Sequence, residues 1–142
     1  MNEKACRISQ FKKAAHQLLS DEGRARIRAG DSEYVDLAIS YLEADPYFDG
    51  TGYVKSYLVR YLKLVPFSAA QHERLRALIL RVIETYGPFG GKHVCRLAAS
   101  VQSPEFLSQV QVRFDSQDHD TRRRARNIYA YVQRFNQSTR NA

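Results

Sequence analysis

The sequence predicts an all-α chain, and three observations carry that expectation. Apolar residues recur at intervals of three and four through most of its length. No stretch alternates with a period of two between turn signals, so no strand is expected. Ser, Asp, Pro and Gly stand between the periodic stretches as helix starts and stops. With 142 residues, 44% hydrophobic, seven Gly and four Pro, the chain has one domain's length and enough apolar content to bury its own core. That composition excludes wholesale disorder. No apolar window approaches the roughly 20 residues that span a bilayer. Residues 1–7 lack the apolar core of a signal peptide. A cytoplasmic protein with no membrane partner is expected.

In chain order, Ile8, Phe11, Ala15 and Leu18 mark an amphipathic helix from Lys4 to Leu19. Asp21-Glu22-Gly23 interrupts it, and Arg24 to Gly30 reads as a short basic connector closed by Gly30. Residues 1–30 are thus an N-terminal helix and basic connector. Asp31 or Ser32 caps the next helix, whose apolar face is Tyr34, Leu37, Ala38, Tyr41 and Leu42, with Asp36, Ser40 and Glu43 on the exposed side. Pro46 stops it, because the residue before proline is pushed out of the helical region.

The turn Asp45 to Gly52 launches a helix from Tyr53 to Val65. At roughly 100° per residue, Tyr53, Leu64, Tyr57, Tyr61, Val54, Val65, Leu58 and Leu62 fill an arc of about 180°, with Lys63, Ser56 and Arg60 opposite. An arc that wide predicts a helix covered by more than one neighbour, in the middle of a stack.

Pro66 ends that helix, and Ser68 with Gln71 has the spacing of a capping box. Leu75, Ile79, Val82, Ile83 and Tyr86 form the stripe of a long helix that Gly87-Pro88 stops. Val94, Leu97, Ala98 and Val101 give a shorter one. Ser103-Pro104-Glu105 is a helix start with a capping serine, proline at the first position and an acid against the dipole. Phe106, Leu107, Val110 and Phe114 pack, residues 115–120 turn, and a last helix runs from about Thr121 to Phe135 with Ala125, Ile128, Val132 and Phe135 inward. Residues 136–142 read as a flexible tail.

Paired in order, these helices make three hairpins starting near residues 32, 69 and 104, a recurrence of roughly 35–37 residues that suits helical repeats. The last hairpin, from Phe106-Leu107 through Asp115 to Arg122-Arg123-Arg124-Ala125 and Tyr129, resembles a HEAT-type repeat. Its turn is longer than the family's usual one, and either Arg122 or Arg124 takes the repeat arginine's place. The resemblance implies a short right-handed α-α superhelix over residues 31–135: three antiparallel helix pairs preceded by the N-terminal helix. Pro46-Tyr47-Phe48 with Tyr57 to Leu62 is similar to the helical region that follows the polymerase domain in some bacterial defence-type reverse transcriptases. Without a polymerase carboxylate motif, that likeness implies at most a bacterial, detached relative of such an accessory region.

The net charge of +7 is concentrated in the first 30 residues and the last 25, which favours acidic partners, either nucleic acid or an acidic protein surface. Catalytic constellations are not expected. His16, His72, His93 and His119 include no pair at metal-binding spacing. His119, between two aspartates, reads as part of a turn capped by Asp120. Cys6 and Cys95 read as packed free thiols, and Ser56 and Ser100 have no local base. Arg113 and His119 are one residue too far apart for the motif of HEPN-type ribonucleases. Phe89-Gly90-Gly91-Lys92 lacks the preceding strand and following Ser or Thr of a phosphate loop. No cofactor or metal is expected.

The strongest signal lies in the last helix, where Arg122, Arg123, Arg126 and Arg134 share an arc of about 120° with Asn127 and Gln133. Guanidinium and amide donors on one face suit phosphate oxygens. Lys55, Arg60 and Lys63 extend this surface if second helices line one side of the stack, and Tyr129 and Tyr131 stand near the arginines. The expected function is a non-catalytic helical-repeat binding module with a basic face for nucleic acid or an acidic protein. The alternative is a protein–protein scaffold or inhibitory partner using an aromatic-rich groove around Tyr47, Phe48 and Tyr53. Three repeats without polar end-caps leave self-association open.

Overall fold

Side-chain caps set most of the helix starts. The computed structural model describes residues 2–46, 50–85 and 92–141. Eight α-helices are present among them: α1 (Glu3–Leu19), α2 (Asp21–Arg28), α3 (Ser32–Ala44), α4 (Thr51–Leu62), α5 (Ala69–Glu84), α6 (Lys92–Val101), α7 (Pro104–Val112) and α8 (His119–Arg140), with a 3-10 turn at Arg113–Asp115. The described residues contain no strand. Asp31 caps α3 by accepting from the Glu33 and Tyr34 amides. The capping box at Ser68 and Gln71 is formed, and Ser103 accepts from the Phe106 amide ahead of Pro104. The cap of α8 is Asp118, not Asp120: it accepts from both the amide and the hydroxyl of Thr121. Those two bonds, hydroxyl first, hold its carboxyl below the usual carboxylate range. The Gly87-Pro88 stop, Tyr86, and Tyr47 and Phe48 of the aromatic groove lie outside the described residues.

Odd-numbered helices touch in series, α1 to α3 to α5 to α7, and even-numbered helices do likewise, α2 to α4 to α6 to α8. Each odd helix also packs on the even one that follows it. The chain therefore alternates between two ranks, with one continuous core between them that includes Leu18, Ile27, Val35, Leu42, Leu58, Leu75, Ile83, Leu97, Val110 and Val132. As expected for its wide apolar arc, α4 has several neighbours: α1, α2, α3 and α6.

Residues 20–28 differ from expectation. The Asp21-Glu22-Gly23 interruption is the first turn of α2: Ser20 accepts from the Gly23 amide, and the two acids sit at the helix's positive end. Ile27 is fully buried, so the basic connector is a helix that completes a pair with α1 and shares the common core. At the other end, α8 continues to Arg140 rather than fraying after Phe135. A reciprocal amide pair between Asn136 and Gln102, at 2.9 Å in each direction, ties its late turns to the segment before α7.

The inward face of α4 is rotated from the expected one. Thr51, Lys55, Leu58, Val59 and Leu62 are buried, whereas Tyr53 is 65% and Leu64 85% exposed. Tyrosine is apolar in body and polar at its tip, so Tyr53, Tyr57 and Tyr61 settle at the margin. The Tyr53 and Tyr57 hydroxyls are hydrogen-bonded at 2.9 Å, and Arg24 lies over the Tyr61 ring. Lys55, expected on the cationic surface, is instead a core residue: its side chain is 1% exposed and its Nζ donates to Asp45. Asp45 caps the C-terminus of α3 in the left-handed conformation, φ 48°, where the helix dipole also favours a cation.

A buried ammonium depends on its counter-charge. Asp45→Asn keeps the shape and the left-handed tolerance while removing the charge, and should destabilise the fold by about 2 kcal/mol, less than for a wholly buried pair because Asp45 is half exposed. Lys55→Met should be tolerated within about 1 kcal/mol, and adding it to Asp45→Asn should restore most of the loss. Urea unfolding of the three variants measures this; an Asp45→Asn midpoint equal to wild type would show that Lys55 does not need the carboxylate.

Candidate functional site

Charge is spread unevenly over the helices. Helices α4 and α6 contain no Asp or Glu, and α8 contains only Asp120. Helices α3 and α7 contain no Lys or Arg. The acids expected on the exposed side of α3 are held by α5. Arg74 donates to Asp36, Ser40 and Glu43, the last at 2.6 Å, and Gln71 donates to Asp36 at 2.9 Å.

Other arginines tie off helix ends, whose last carbonyls have no partner inside the helix. Arg81 donates to the Leu42 and Glu43 carbonyls closing α3, Arg76 to the Val101 carbonyl closing α6, and Arg124 to the Ile83 carbonyl in the last turn of α5. Arg113 pairs with Glu84 at 2.8 Å. Much of the positive charge counted in the sequence is therefore consumed by the fold.

The expected arginine face of α8 is split in the same way. Arg122 is half-buried and donates to the Ser116 carbonyl at 2.6 Å, shaping the turn before the helix. Arg123 is exposed and pairs with Asp120 at 3.3 Å, and Arg126 lies over the Phe114 ring. Tyr129 is engaged with Phe114 edge-on and accepts a hydrogen bond from Gln111. Arg134 is exposed and makes no ion pair with a described residue; its charge reaches the Cys95 thiol on α6. Burial pushes that thiol up, which keeps it protonated and inert, whereas Cys6 is exposed rather than packed.

A different cationic cluster is complete. Arg28 at the end of α2, Arg60 and Lys63 at the end of α4, and Lys92 and Arg96 on α6 make no ion pair with a described residue. The Lys63 ammonium is held below its usual range by partial burial and then by the charges of Arg96, Arg60 and Lys92. Cations at the C-terminal ends of α2 and α4 compensate helix dipoles. Lys92, however, opens α6 at the end where a cation is disfavoured, with no acid in the first turn. Helix stability does not account for it.

Two adjoining concavities run through this patch. One, of about 520 Å³, is lined by Arg28, Arg60, Tyr61, Lys63 and Leu64. The other, of about 370 Å³, is lined by Lys63, Leu64, Arg96, Ser100, Tyr131 and Phe135. Lys63 and the exposed Leu64 are common to both. Phe135, expected inward, is 45% exposed here.

The structure thus keeps Arg60 and Lys63 from the expected set in this cluster, and places Arg134 outside the lining of either concavity. It removes Lys55 and adds Arg28, Lys92 and Arg96. A sequence signal for Lys92 and Arg96 exists, since no Asp or Glu occurs from 85 to 104, as none does from 50 to 72; Arg28, between Glu22 and Asp31, has no such signal. Among the described residues, no three His, Cys, Asp or Glu side chains gather as a metal site would need, and no helix is long and apolar enough to cross a membrane.

His93 reports on the cluster. Its Nδ1 is buried without a hydrogen-bond partner, and burial, then the charges of Lys63, Arg60, Arg96 and Lys92, lower its pKa from the ordinary 6.5. The unfolded chain takes up this proton more readily than the fold, so stability is full above about pH 6.5 and falls as pH drops toward the depressed value. NMR titration of the His93 ring should give a midpoint below 6.5 that rises when a polyanion is added. A midpoint at 6.5 that a polyanion does not move would show that the cluster is too dispersed to act as one field. Comparison of the chain with protein-family models, with curated proteins and with solved structures finds no match.

Proposed function

We propose that the chain is a non-catalytic helical-repeat binding module whose even-helix face engages nucleic acid. The alternation of two ranks supports a HEAT-like α-α superhelix, with the α1–α2 pair ahead of three further pairs. The observation that carries the functional reading is the patch of Arg28, Arg60, Lys63, Lys92 and Arg96, without an ion pair to any described residue and on a face whose α4 and α6 contain no acid. Like charges held this close repel, and a chain of phosphates relieves that repulsion while releasing its own counterions.

Fluorescence anisotropy with labelled 20-mers, single- and double-stranded, tests the reading. With roughly four phosphate contacts, affinity should fall about 100-fold between 50 and 200 mM salt. Absence of binding to every oligonucleotide at 50 mM salt would overturn it.

A second reading, a protein–protein scaffold, is favoured by the tyrosine ladder Tyr53, Tyr57 and Tyr61, which lines a shallow concavity with Leu19. Retention of a protein partner after nuclease treatment and at high salt is the outcome that reading requires.

A further inference from the structure

Leu64 and Phe135 are large apolar side chains left in water in the same concavity as Lys63 and Arg96. Phosphate binding alone gives them no role. The backbone of a duplex offers oxygens and sugars, and its base faces are already stacked on one another. A single strand presents the same phosphates together with unstacked aromatic faces. Resting on the nucleic-acid reading above, we propose that the groove between α6 and α8 is specific for single-stranded nucleic acid. An unstacked base lies against Phe135 and Tyr131, while Arg96 and Lys63 hold the phosphates beside it.

The geometry fits that division of labour. Tyr131 and Phe135 are four residues apart on α8, so their rings lie on one side of the helix about one turn apart. Arg96 and Ser100 are spaced the same way on α6, which packs against α8. The α4 end contributes Lys63 and Leu64. Aromatics from α8 and cations from α4 and α6 therefore line one opening, the combination that sequence-tolerant single-strand sites use. At about 370 Å³ the groove is near the lower end of small-ligand sites, room for a base or two and too small for a docked helix, which is about 10 Å across. Ser100 donates its hydroxyl proton to the Leu97 carbonyl, so its oxygen faces the groove as an acceptor that any base amine or imine N–H can use without selecting a sequence. The adjoining concavity with Arg28 and Arg60 continues the cationic track and extends it for further phosphates. A second copy of this chain is disfavoured as occupant, because two such patches repel.

Anisotropy titrations of a labelled 12-mer single strand, an abasic 12-mer of equal charge and a blunt duplex, at 100 mM salt, separate base contacts from phosphate contacts. The single strand should bind at least 10-fold tighter than the other two. Phe135→Ala should weaken single-strand binding about 10-fold and leave the abasic strand and duplex unchanged, since stacking contributes roughly 1–3 kcal/mol per base. Leu64→Ala, at an 85% exposed position that cannot unsettle the core, should act in the same direction and more weakly. Equal affinity for all three ligands, or a Phe135→Ala variant with unaltered single-strand binding, would overturn the single-strand proposal while the binding-module reading stands. Failure of every ligand to bind at low salt would remove that reading instead. Tighter capture of an acidic, aromatic peptide than of the single strand, lost in Phe135→Ala, would reassign the groove to a protein ligand.

Discussion

The double charge reversal Arg60→Glu with Arg96→Glu should weaken oligonucleotide binding by roughly 100-fold or more at low salt and reduce the salt slope by about two. Each arginine is a free cation on the acid-free face, with no ion-pair partner among the described residues to absorb the change. Reversal also replaces repulsion around Lys63 and His93 with attraction, so the variant should melt no lower than wild type and should raise both of their pKa values. That pairing of lost binding with retained stability distinguishes an interface from a structural network. Arg123→Glu with Arg126→Glu should weaken binding less, because Arg123 is partly neutralised by Asp120 and Arg126 rests on Phe114. If the α8 pair proved the more damaging, the contact surface would centre on the start of α8 and not on the α4–α6 patch.

Gly23→Ala should destabilise the protein by about 3 kcal/mol, at the upper end for overpacking, and could prevent folding. A Cβ at this position would lie 2.2 Å from the Gln17 carbonyl oxygen and 2.7 Å from that of Leu18. Both are backbone atoms in the last turn of α1, which cannot swing aside as a side chain would. Relief requires α2 to separate from α1, withdrawing Ile27 from the core. Alanine at the neighbouring exposed Glu22 should cost only about a few tenths of a kcal/mol, since it loses a favourable charge near the helix start and an exposed i,i+4 ion pair with Arg26. Denaturant midpoints of the two variants measure the contrast. A Gly23→Ala midpoint matching wild type would mean that the α1–α2 corner yields more readily than a packed interior.

The caps at Ser68 and Ser103, and the α3 cap as one of Asp31 and Ser32, were readable because each is a local event, a side chain meeting an amide two or three residues on. The short helix α2 was misread because an acid-acid-glycine run is also a turn signal, and only the nearness of the α1 backbone shows why glycine is there. The orientation of α4 was misread because its tyrosines counted as fully apolar, which moved the apparent centre of the apolar arc away from Lys55. The α8 arginines looked like one surface because a helical wheel shows direction and not partners: Ser116, Asp120 and Phe114 each claim one. The Arg28, Arg60, Lys63, Lys92 and Arg96 patch joins residues from three helices, a juxtaposition that no sequence window contains.

Sequence alone determined the all-helical class, most helix starts and the core stripes of α5 and α6, because spacing along one helix and hydrogen bonding to the next few amides are properties of a short segment; on α3 it missed the buried Val35 and Ile39. Tertiary packing decided which cations are free. An arginine is neutralised by whichever carboxylate or helix-end carbonyl the neighbouring helix brings to it. Around Arg60, Lys63, Lys92 and Arg96 the described neighbours bring none, and the charge remains on the surface for a ligand.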